Sequence, residues 1–234
     1  MSNKNIISEN IIEIRYKPIP EILDYRGGLA TAISHHMSLP HWKIDQNRVD
    51  VHDKEERLRV FASFANAGIV LRNADGDEFV QLANQYLRFL LKRRPYQDRT
   101  LITRIGCKTR IGYISPLGFE DLFLKYSSVI HISDAYKEII NGEIVDVGFP
   151  INFRTEIGNL DSAGGPMAKE QLKKFFSFVE EDKLPESALY VEFDYWNKPE
   201  KEMSSNQIAS LAIDYANENW KKAERIKELI LADQ

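Results

Sequence analysis

Two carboxylates, Glu192 and Asp194, stand two residues apart in the string SALYVEFDYWNK. In a strand, that spacing projects both side chains from one side, where they could ligate a divalent ion or face a cationic partner. A second stretch, RIGCKTRIGYI at 104–114, puts Arg104, Lys108 and Arg110 on one side of a strand and Ile105, Cys107, Thr109, Ile111 and Tyr113 on the other. By the same alternation IIEIRYKP adds Glu13, Arg15 and Lys17. If these strands share one sheet, their polar sides form a common face. Two kinds of chemistry use that set. In one, Arg15, Lys17, Arg104, Lys108 and Arg110 contact a nucleotide or polyphosphate, and Glu192 with Asp194 hold the divalent ion of a metal-dependent phosphohydrolase. In the other, the charges are cross-strand ion pairs on a wet face, each contributing about 0.2–1 kcal/mol. The sequence favours the ion pairs.

Other reactive residue types lack the spacing that chemistry demands. His35, His36 and His41 match no common structural-zinc pattern, and His35 and His36 on a helix diverge by about 100°. His52 beside Asp53 reads as a polar turn, and His131 as a structural histidine. RGGLA at 26–30 has no following Lys with Ser or Thr, and GNLDSAGGPM has no glycine-serine-glycine elbow. The expectation is a protein without catalytic machinery or cofactor, a divalent ion entering only under the phosphohydrolase reading.

Composition sets the class. With 234 residues, 43% hydrophobic and 28% charged, the chain can bury a substantial core. Its apolar runs fall far short of the roughly 18 residues of a membrane span, and its N-terminus does not read as a secretory signal. Cys107 is the single cysteine, which excludes an internal disulfide and agrees with a cytoplasmic location. Charge is uneven: residues 1–116 hold 18 Lys and Arg against 13 Asp and Glu, a balance of +5, and residues 117–234 hold 13 against 22, a balance of −9. That asymmetry supports a protein partner or self-association, the positive part of one copy meeting the negative part of another. The cationic run from Lys92 to Arg110 is compatible with nucleic acid, but a net charge of −4 disfavours it.

The elements that position these residues follow from periodicity. Ile12, Ile14 and Tyr16 define a strand ended by Pro18 and Pro20. Ile22, Tyr25, Leu29, Ile33 and Met37 fall on one face of a helix over 21–37. Short strands follow, with a tight reversal at Ala67 and Gly68. Residues 76–92 fit a helix with Asp75 as its cap or, less well, a hairpin. After the strand at 101–114 come a helix in FEDLFLKYSSVI, two strands in EIVDVGFPINFRTEIGNL, a loop at DSAGGPM, a helix in KEQLKKFFSFVEED, the strand SALYVEFDYW and a long amphipathic helix from Ser204 to about Leu231.

The strings ENIIEIRYKP, GIVLRNADGDEFVQLANQYLRFLLKRRPY and ITRIGCKTRIGYI together resemble, in order, segments of a sporadically distributed prokaryotic family of proteins of about this size. The family's role is itself uncharacterised, so the resemblance implies no reaction and no site residue. It does imply a further strand after VQL, which would turn 76–92 into the hairpin. Here little chain separates RRPY from ITRIG, where the family commonly has a longer helical connection. The glutamate, arginine and lysine of EIRYK also match, incompletely, the first strand of triphosphate tunnel proteins.

The expected fold is α+β: two tandem halves, 1–97 and 98–234, each a strand, a helix, antiparallel strands and a closing helix. They would share one curved antiparallel sheet, with helices on one face and a long C-terminal helix, as a single globular unit over 1–234. The expected function is non-enzymatic binding of a macromolecular partner in the cytoplasm, through the polar sheet face or the C-terminal helix.

Overall fold

A computed structural model describes residues 5–97, 101–129 and 151–231. Its centre is a pair of long antiparallel strands, β1 (Ile6–Tyr16) and β6 (Ile102–Ile114), in which Ile12 lies opposite Cys107 and Glu9 opposite Arg110. Each opens one half of the chain. After β1 come α1 (Glu21–Met37), β2 (His41–Ile44), β3 (Arg48–His52), β4 (Leu58–Ser63), β5 (Asn66–Arg72) and α2 (Gly76–Leu90). After β6 come α3 (Phe119–Val129), β7 (Ile151–Arg154), β8 (Asn159–Ala168), α4 (Lys169–Phe175), β9 (Ser187–Asn197) and α5 (Ser205–Leu231). The described strands form one nine-stranded antiparallel sheet in the order β2-β3-β4-β5-β1-β6-β9-β8-β7. This is the α+β arrangement with a long C-terminal helix that the patterning predicts.

The apolar sides of the strands set where the helices lie. Ile12, Ile14, Ile69, Ile105, Cys107, Ile111, Leu189 and Val191 join α1, α2, α3 and α5 in one core. On α5 the buried stripe is Ile208, Ala209, Ala212, Tyr215, Ala216, Asn219, Trp220, Ala223 and Ile230, while Leu211 and Ile226 pack against the core half-buried. Asn219 donates to the carbonyls of Cys107 at 2.9 Å and Phe193 at 3.3 Å, tying the helix to β6 and β9. Among the described helices the short α4 lies on the opposite face, where Leu172 and Phe176 pack on Ile7, Ala188 and Tyr190.

Several expectations change. Residues 76–90 are helix, not the hairpin implied by the family resemblance. Asp75 caps it by accepting from the Glu78 N–H at 2.9 Å, and Tyr86 donates from inside the core to the Phe61 carbonyl at 2.6 Å. The reversal between β4 and β5 sits at Phe64 and Ala65 rather than at Ala67 and Gly68. There the Ser63 hydroxyl accepts from the Ala65 and Asn66 N–H groups, doing the work a glycine turn would do. DSAGGPM is not a loop but part of β8, paired with β9 from Asn159 to Ala168. Gly164 permits it, because a Cβ there would lie 2.8 Å from the Tyr190 carbonyl oxygen. Among the described residues β7 pairs with Asn159–Ser162, and Pro166 faces Leu189 of β9 on its other side. The helix in KEQLKKFFSFVEED stops at Phe175, since Phe176 turns under the sheet onto Gly112. Tyr25 is exposed, lying back over Gly28 instead of entering the core. His131 and the first part of EIVDVGFPINFRTEIGNL lie outside the described residues.

Cys107 is fully buried on the core side of β6, and burial pushes its thiol well above the usual range, with the Asp194 charge adding to the effect. Such a thiol is inert. The native protein is expected to resist a thiol-reactive reagent and to titrate one thiol only after unfolding in guanidinium. Rapid native labelling would show that β6 opens locally.

Candidate functional site

The face of the sheet opposite the long helices gathers the predicted charges in transverse rows. In the first row, across β5, β1, β6 and β9, Arg72, Glu9, Arg110 and Glu192 stand directly opposite one another in alternating sign. Arg72 meets Glu9 at 3.2 Å, Glu9 meets Arg110 at 3.3 Å, and Arg110 meets Glu192 at 2.6 Å. The second row pairs Lys108 with Asp194 at 3.5 Å, and Lys108 also reaches Glu192 at 3.1 Å. Six of the seven predicted site residues therefore share one face: Arg15, Arg104, Lys108, Arg110, Glu192 and Asp194. Lys17 does not join them. It follows the end of β1, beyond a register irregularity at Arg15 and Tyr16, and among the described residues it forms no ion pair.

The two carboxylates respond differently to this setting. Burial works to raise both. At Glu192 it is overcome by hydrogen bonds from Tyr190 and Arg110 and by the charges of Lys108 and Arg110, so the carboxyl is held below its usual range. At Asp194 burial wins over Lys108 and Arg104, and Asp161 across β8 adds to the rise. Asp161 in turn accepts from the Trp196 indole N–H at 3.1 Å. Glu192 and Asp194 are thus held by cations. Among the described residues no group of three or more His, Cys, Asp or Glu side chains stands together as a metal site.

Below these rows the face opens. Glu13 has Gly68 opposite it on β5 and Gly106 opposite it on β6, and two residue pairs further on Arg15 lies directly opposite Arg104. Arg15 turns back to Glu13, while Arg104 reaches Asp194 only at 3.8 Å and lies over the Trp196 ring at 5.6 Å. The result is a cleft of about 250 Å³ whose lining includes Arg15, Arg104, Lys108, Glu13, Asp194 and Gly106.

Sequence reasoning missed Glu9 and Arg72. Extending the period-two alternation of β1 toward its start reaches Glu9, but Ser8 and Asn10 occupy the core side there and mask the pattern. Both are buried and bonded: the Ser8 hydroxyl donates to the Ala74 carbonyl at 2.7 Å, and Asn10 accepts from the Trp220 indole at 3.0 Å. The histidines disperse. His36 stacks on Phe89 at 3.9 Å, and His41 stacks across strands on His52 at 5.7 Å.

Fold and face together define an α+β protein whose described strands form a nine-stranded antiparallel sheet, with α1, α2, α3 and α5 packed on one side and an ion-paired surface beside the short α4 on the other. No family model matches the chain, and no curated protein matches it. Among solved structures, the rolling circle replication initiator protein from Geobacillus stearothermophilus is similar over 91% of this chain and 80% of its own, at 8% identity and a TM-score of 0.30. Among the described residues no helix is long and apolar enough to cross a membrane.

Proposed function

We propose that this is a non-enzymatic cytoplasmic protein that docks a protein partner on its ion-paired sheet face. The observation that carries the reading is the division of labour between the two sides of the sheet. The apolar stripe of α5 is consumed inside the core, and its outer side carries local pairs such as Lys221 with Glu218. That argues for the sheet face over the C-terminal helix as the docking surface. Prearranged charges on a rigid sheet give specificity and orientation at low ordering cost. A second copy is a partner the +5 and −9 distribution favours.

The test is retention of a protein partner by three immobilised chains: the wild type, a variant with Lys43→Glu and Arg59→Glu, which flank Asp50 on the polar side of the sheet, and a variant with Lys221→Glu on the exposed side of α5. Loss confined to the sheet-face variant is the expected result. Loss confined to the α5 variant would move the docking surface to the helix. Sedimentation at high concentration and low salt tests the second copy, and a strict monomer there rules it out.

A further inference from the structure

We infer that the cleft at Gly106 is a seat for the phosphate group of a small anionic ligand. This goes beyond protein docking and stands or falls separately from it. The argument starts from a departure in the charge rows. In the two rows above it cations meet carboxylates across strands, but Arg15 and Arg104 are directly opposite each other, as the carboxylates Asp161 and Asp194 are across β8 and β9. Like charges in that position destabilise a sheet. Their own carboxylates relieve this incompletely. Arg15 is taken by Glu13, yet its side chain remains 52% exposed. Arg104 has Asp194 at 3.8 Å, too long for a hydrogen bond, and among the described residues its guanidinium makes no other polar contact. A planar set of donors is therefore free beside a second arginine and Lys108, the arrangement that takes a phosphate through paired N–H···O bonds.

The space is present as well. Gly106 lies between Arg104 and Lys108 on β6 and opposite Glu13 on β1, so no side chain fills the centre of the cleft. Its volume, about 250 Å³, lies below the usual range for drug-sized ligands and suits a phosphate or diphosphate group rather than a whole dinucleotide. The named charges of the lining, Arg15, Arg104 and Lys108 against Glu13 and Asp194, leave one positive charge for the ligand to neutralise.

Gly106 also supplies a clean test. A Cβ there would meet the Tyr195 carbonyl oxygen at 3.5 Å, Trp196 Cβ at 3.7 Å and Arg104 Cζ at 3.8 Å, all ordinary contacts. Gly106→Val adds two methyls beyond that Cβ on the cleft side of β6 and keeps every charge. Inorganic pyrophosphate is titrated calorimetrically at low ionic strength into the wild type, Gly106→Val, Arg104→Gln and, as a control on the same face outside the cleft, Arg59→Gln. Melting temperatures confirm that each variant is folded. The expected result is saturable wild-type binding that weakens with salt, loss of about tenfold or more in Gly106→Val and Arg104→Gln, and retention in Arg59→Gln. Absence of saturable wild-type binding at millimolar probe, or equal binding by folded Gly106→Val, would overturn the proposal. So would an equal loss in Arg59→Gln, which would mark the binding as unspecific attraction to the face.

Discussion

Gly68→Ala is expected to lower the stability of the protein by about 3 kcal/mol, the upper end of overpacking costs, and Gly68→Val to prevent folding. Gly68 is the glycine on the other side of Glu13 from Gly106, and the contrast between the two is steric. A Cβ at Gly68 would lie 2.2 Å from the Ile12 carbonyl oxygen and 2.7 Å from the Phe61 ring. The carbonyl cannot withdraw, because β1 is paired with β5 on one side and β6 on the other. Nor is Phe61 free to swing aside, since the Arg48 guanidinium lies over its ring at 4.1 Å and Arg48 is itself bound to Asp50 at 2.7 Å. Guanidinium unfolding of Gly68→Ala is the measurement. A wild-type midpoint would mean that β4 and β5 can separate locally, and the rigid face assumed for docking would have to be given up.

The same close approach explains why part of this architecture is readable from the chain and part is not. Alternation in β6, in β9 and in β1 from Ile12 onward is enough to assign Arg15, Arg104, Lys108, Arg110, Glu192 and Asp194 to polar sides, because one apolar core claims the opposite sides. Periodicity also identifies α5, whose buried stripe is long and regular. What alternation cannot convey is which strands are neighbours. That Arg110 meets Glu9 as well as Glu192 depends on β6 lying between β1 and β9, a long-range fact. Turn chemistry misleads for a related reason. Glycine in AGIV and in SAGGPM looks like a reversal, yet Gly68 and Gly164 are strand residues kept small by backbone oxygens of neighbouring strands. Lys17 fails locally: the alternation that includes it ends at Arg15, where the register shifts. The 76–90 segment is settled by its tertiary contacts, since its period fits a helix better only by degree, whereas the cap at Asp75 and the Tyr86 anchor fit a helix alone.

Glu192→Gln and Asp194→Asn, two residues apart on one strand, are expected to change stability in different ways. Both side chains are 18% exposed and both touch Lys108, but the folded protein stabilises the ionised form of Glu192 and disfavours that of Asp194. Neutralising Glu192 removes the shared acceptor of Lys108, Arg110 and Tyr190, a loss of about 1.5–3 kcal/mol for hydrogen bonds to a charged group. Neutralising Asp194 removes a carboxylate that burial penalises, and is expected to stabilise the protein or to cost no more than about 0.5 kcal/mol at neutral pH. The pH dependence separates the two further. A lowered folded pKa gives stability that is present above the unfolded value of about 4.3 and is lost as pH falls through the folded value, so the Glu192→Gln deficit should shrink only in strong acid. A raised folded pKa imposes a cost above the folded value that fades as pH falls through it and is gone below the unfolded value of about 3.9. Any advantage of Asp194→Asn should therefore be largest near neutrality and vanish in acid. Urea midpoints from neutral pH down into acid measure both. A deficit for Asp194→Asn as large as that for Glu192→Gln would show that Lys108 and Arg104 outweigh burial at Asp194, and the cleft beside it would then be bound to its own carboxylate too tightly to admit an anion.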